Sequence, residues 1–110
     1  MLSEHLKKEL VDRITASQRI DKIFLFGSEA TGSSGPNSDI DLLVILDQDT
    51  LPSSFKERST NYLQISRAIR DIEKNQLIDL LVYTKQEFEM IKAGGSLFIR
   101  RLLKDAVELK

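Results

Sequence analysis

Cysteine is absent from the 110 residues, so neither disulfides nor thiolate metal ligation can contribute. Histidine occurs once, as His5 near the amino terminus, where it reads as a solvated helix residue. Any metal site must therefore be built from oxygen. No excess of either charge exists: the formal net charge is -1 and the pI lies near 5.8. That balance leaves no basic footprint to neutralise a nucleic-acid backbone, which argues against a nucleic-acid partner and against copying a template strand. Long apolar runs are missing as well. The first eight residues alternate charge with leucine and lack the apolar core of a signal peptide, and no stretch reaches the span of a membrane helix. No membrane association is expected, and the expected location is the cytoplasm. Repeats, low-complexity tracts and an obvious linker are lacking too.

What remains is a chain that is 41% apolar, enough for the single core of one small domain over residues 1–110. Leu2, Leu6, Leu10 and Ile14 recur at helical spacing and predict an amphipathic helix over residues 3–17. Residues 22–26 predict a strand, residues 29–37 a loop rich in glycine, proline and hydroxyls, and residues 39–46 a second strand. A polar connection over 47–54 leads to one long helix over 55–73, with Tyr62, Ile65, Ile69 and Ile72 as its apolar stripe. Residues 77–83 predict a third strand. Thr84 and Glu87 then stand at the spacing of a capping box, opening a short helix through residue 92. Gly94 and Gly95 break that helix, Ser96 can cap the next, and Phe98, Ile99, Leu102, Leu103 and Ala106 give the final helix a broad apolar surface, part of it beyond the needs of the domain's own core. Arg100, Arg101 and Lys104 make this segment locally basic, by default a solvated face. The order of elements predicts an α/β fold, a mixed sheet of at least three strands flanked by helices.

The chemistry concentrates where the first strand ends. Gly27 and Ser28 follow the apolar run, and eleven residues after Ser28 come Asp39, Ile40 and Asp41. A backbone that approaches anionic oxygen closely needs glycine, and a neighbouring serine adds a hydroxyl donor. Residues two apart on a strand share a face at roughly 6.6 Å along the backbone, so Asp39 and Asp41 can grip one hard cation. Asp41 stands one step inside an apolar strand, where an ionised carboxylate is costly to desolvate without a positive partner. Asp79 repeats that situation in the third strand. Each feature alone is an ordinary turn or strand-end aspartate; two strands with interior carboxylates point to one shared site.

The run from Gly27 to Gly32, the run from Ser38 to Val44, and Asp79 on a later strand together resemble the DNA polymerase beta-like nucleotidyltransferase superfamily, and more narrowly its minimal (MNT-type) members. The resemblance implies that Gly27 and Ser28 bind nucleotide phosphates and that Asp39, Asp41 and Asp79 form the catalytic centre, holding two Mg2+ ions. It implies ATP as donor of AMP and a hydroxyl as acceptor. Minimal members are often paired with a separate helical protein, some as antitoxins that adenylylate a tyrosine of a HEPN-domain toxin, so a hetero-oligomer with a helical HEPN-type partner is expected. Related small-molecule modifiers generally carry an extra acceptor-binding helical lobe, for which this chain has no room. One departure stands out: the family motif commonly carries basic residues at its third and fifth positions, where this chain has Glu29 and Thr31. Both reduce positive charge beside a triphosphate. The alternative is a catalytically weakened antitoxin that neutralises its partner by binding alone.

Overall fold

A computed structural model describes residues 2–27, 30 and 39–110 of the chain. Ser3 accepts a hydrogen bond from the Leu6 amide at 3.1 Å and so opens helix α1, Glu4–Ser17, whose Leu10 and Ile14 are buried. Strand β1, Ile20–Phe26, pairs antiparallel with β2, Ile40–Leu46. Ser54 caps helix α2, Phe55–Ala68, and a short helix α3, Arg70–Glu73, follows it. The crossover ends in β3, Ile78–Thr84, which lies parallel to β2. Helices α4, Lys85–Ala93, and α5, Leu97–Asp105, follow, and a two-residue strand β4, Val107–Glu108, returns antiparallel to β1. Among the described residues the sheet order is β3-β2-β1-β4, with β3 at one edge; the sheet is mixed and has at least three strands, as the pattern predicted, with β4 as a fourth.

Helices cover both faces of this sheet. On one, even-numbered β2 residues from Ile40 to Leu46 pack with Leu10 and Ile14 of α1 and with Ile65, Ile69 and Ile72. On the other, Leu43 and Ile45 pack with Phe88 of α4 and with Ile99 and Leu102 of α5. β2 is thus buried from both sides and reads as a continuous apolar run, as expected of an interior strand. Its one residue that is not buried is Asp41.

Three predicted details change. The single helix over 55–73 divides at Ile69, whose backbone (φ -113°, ψ 15°) leaves the helical region while its amide bonds to the Ser66 carbonyl at 3.3 Å. That tightened turn re-aims the chain: Ile72 joins the same core, and Asp71 meets the Arg13 guanidinium of α1 at 2.6 Å. Tyr62, expected on the buried stripe, is 42% exposed. At the carboxyl end, Ala106 is extended and ends α5 rather than belonging to it, and the following residues form β4. The Leu109 amide donates a hydrogen bond of 2.7 Å to the Ile23 carbonyl there, and Lys22 forms an ion pair with Glu108. The capping box is present in full, with Thr84 and Glu87 bonded reciprocally at 2.9 and 3.1 Å. His5 is 90% exposed in its side chain, facing Glu9. Among the described residues, no helix is long and apolar enough to cross a membrane.

Candidate active site

The register of three strands assembles the site. Phe26 on β1 stands opposite Asp41 on β2, and Asp41 stands opposite Asp79 on β3. Partners in register present their side chains to the same face, here the face covered by α4 and α5, since Phe26 and Leu43 both belong to that core. Parallel pairing of β2 with β3 is what puts the two aspartates side by side.

Gly27 follows directly and is required twice over. Its φ of +74° is a conformation that side chains resist. A Cβ there would also lie 2.2 Å from Oδ2 of Asp41, so the missing side chain is the space the carboxylate occupies. Asp41 is hydrogen-bonded to Asp79 and its pKa is pushed up to about 6; burial contributes most, then the hydrogen bond with Asp79, then the charges of Asp79 and Asp39. Asp39 sits just before β2, half-buried, close enough for its charge to be felt at Asp41.

Asp79 corrects one expectation. It is exposed rather than interior, because β3 is an edge strand and Asp79 lies at its open beginning. The structure brings Asp41 and Asp79 into direct contact. Asp39 joins them through its charge, and among the described residues no group of three or more acidic or histidine side chains forms a ready-made cation cluster. Ser28, Glu29 and Thr31 lie outside the described residues. Within them, no cationic side chain pairs with Asp39, Asp41 or Asp79, so the carboxylates face one another with no positive charge between them. An all-oxygen donor set of this kind fits a hard divalent cation.

Beside Gly27 the sheet face opens into a cleft of about 420 Å³, lined by Phe26, Gly27, Phe98, Arg101, Leu102 and Asp105. One wall is the end of β1 and the other is α5. A larger cavity of about 540 Å³ lies at the opposite ends of the strands, between residues 48–53, the start of α2 and Thr84, away from the carboxylates. Arg101, read from the sequence as one of three solvated cations, is thereby a wall of the cleft. Its spacing from Phe98 and Leu102 was the available signal, but which face of α5 meets the site depends on packing against β1 and β2.

The profile of the polymerase beta nucleotidyltransferase family matches residues 8–101. The chain belongs to that family. Two solved structures share the nucleotidyltransferase fold. One, a protein of Sulfolobus solfataricus provisionally named a nucleotidyltransferase, is 25% identical, with 94% of this chain and 76% of that chain aligned at a TM-score of 0.62. The other is a toxin-antitoxin with AMP-PNP, 17% identical, with 94% of this chain and 72% of that chain aligned at a TM-score of 0.63. No functionally curated protein matches the chain in sequence. Nucleotidyltransferases of the polymerase beta type typically use divalent metals, in keeping with the donor set around Asp41.

Proposed function

We propose that this nucleotidyltransferase moves AMP from ATP to a hydroxyl on a helical partner protein of the HEPN type, and thereby acts as an antitoxin. The observation that carries the reading is the Asp41–Asp79 pair, held by strand register against the turn at Gly27. The fold shared with a toxin-antitoxin structure that contains an ATP analogue, AMP-PNP, supports a nucleotide donor and a protein partner.

In the proposed reaction the acceptor oxygen attacks the α-phosphorus, the bond from that phosphorus to the β-phosphate bridging oxygen breaks, and pyrophosphate leaves. Magnesium, held by Asp39, Asp41 and Asp79, would supply charge neutralisation and ease ionisation of the acceptor hydroxyl. Gly27 leaves the space in which the Asp41 carboxylate sits and lets backbone approach phosphate oxygen. Asp79, exposed at the sheet edge, can accept the acceptor's proton and release it to water. Asp41, with a pKa of about 6, is mostly ionised at neutral pH and so available to a cation. The partner surface proposed is the carboxyl-terminal region, where Leu97 and Phe98 remain 63% and 56% exposed beside the cleft.

The test is incubation with magnesium, ATP labelled in its α-phosphate and the host's soluble protein, followed by tagged recovery and intact-mass measurement. The expected result is one stoichiometric partner carrying AMP, with no label transferred by Asp41→Asn. A partner recovered without AMP would replace this reading with neutralisation by binding alone. Efficient labelling of a free small molecule with no partner recovered would overturn the antitoxin role.

A further inference from the structure

We infer that Arg101 is a substrate-contacting residue, its guanidinium taking a phosphate oxygen of the bound nucleotide from the helical side of the cleft. This rests on the nucleotidyltransferase reading and deepens it. The need is electrostatic. Asp39 and Asp79 already act on Asp41 at one end of the sheet, and a nucleoside triphosphate adds several further negative charges there. Yet no cation on the described parts of β1, β2 or β3 faces that row: Lys22, the one basic residue of these strands, is paired with Glu108.

Helix α5 supplies the charge from across the cleft. Ile99 and Leu102 are buried against β2 and fix the rotation of the helix about its axis. With that face committed, Phe98, Arg101 and Asp105, at helical spacings of three and four, line the cleft opposite Gly27. Arg101 is exposed, and among the described residues its guanidinium has no ion pair or hydrogen bond, even with Asp105 one turn along. An arginine without a partner, in a cleft that also contains the glycine against which Asp41 rests, presents a five-donor fork matched to phosphate oxygens. The volume of about 420 Å³ is in the range of small-ligand pockets. Arg100, its neighbour, lines a different hollow with Lys92 and Ser96 and is the internal control.

The experiment measures binding of AMP-PNP with magnesium to the whole chain by calorimetry, at low and at raised salt, for wild type, Arg101→Ala, Arg101→Lys and Arg100→Ala. Wild-type binding is the reference: if it is absent, the nucleotidyltransferase reading fails and takes this inference with it. Given wild-type binding, Arg101→Ala is expected to weaken it by about tenfold or more, the loss of a charge-assisted hydrogen bond, and to flatten its salt dependence. Arg101→Lys should fall between, as a point charge without the fork, and Arg100→Ala should match wild type. Unaltered melting temperatures would show that the loss is local, as expected for an exposed side chain. Equal nucleotide affinity in Arg101→Ala and wild type would overturn the inference while leaving the family chemistry intact, and a variant that binds nucleotide normally but transfers AMP slowly would overturn it in favour of an acceptor contact.

Discussion

Asp41 illustrates how little a residue's identity says until its neighbours are known. Its carboxyl titrates near 6 in the fold and near 3.8 as a free side chain, so the native state binds that proton more tightly than the unfolded chain does. The resulting stability is fully present below about pH 4 and is lost as pH rises through about 6. Because Asp41 is only half-buried, solvent screening reduces the effect to on the order of 1 kcal/mol. Metal-free wild type should therefore lose stability relative to Asp41→Asn between pH 4 and 7.5 in paired denaturant titrations, and magnesium should narrow the gap. A gap that does not change with pH would contradict the raised pKa of Asp41. Gly27 offers the complementary test. Gly27→Ala must adopt φ near +74° and displace the Asp41 carboxylate, so it should cost about 1–3 kcal/mol and abolish transfer. Retention of full activity would mean that the turn and the carboxylate are not coupled.

At the scale of elements, the joint between β3 and α4 is the most fully specified. Thr84 is 1% exposed, ends β3 and caps α4, so Thr84→Ala removes a buried hydroxyl and a helix cap together. The expected cost is about 1–2 kcal/mol, a fall of several degrees in melting temperature, with Thr84→Ser close to wild type. Thermal melts that rank the alanine and serine variants equally would refute it. This joint was legible in the sequence because both of its signals lie within four residues. So were the three longer strands and the helices, whose apolar spacing is local. β4 was not: two residues carry no pattern, and Val107 and Glu108 are strand only because β1 offers a free edge. The break at Ile69 was equally invisible, since its apolar spacing continues through Ile72 while the backbone turns to satisfy α1 and the core. In the site, the aspartates were named from their place in apolar runs, but the exposure of Asp79 follows from β3 being an edge strand, which sequence order alone does not state.

The whole molecule is a sheet between two unequal cores. Among the described residues, thirteen buried ones join α1, α2 and α3 to one face, while five join α4 and α5 to the other. Free energy of local opening follows buried apolar contact, so amides of α4 and α5 should exchange with solvent faster than those of β2 under native conditions. Equal protection across both layers, read by hydrogen exchange with mass spectrometry, would contradict this. The thinner layer is the one that carries Arg101 and the exposed Leu97 and Phe98. The parallel pairing of β2 with β3 has a further consequence, in the order of biosynthesis. A ribosome emits Gly27, Asp39 and Asp41 early, but Asp79 follows only after α2 and α3, and at about 5–20 residues per second that interval lasts seconds. During it the nascent chain has one half of a carboxylate pair and nothing to share a proton or a cation with. The carboxylate pair forms in a single step, when β3 docks.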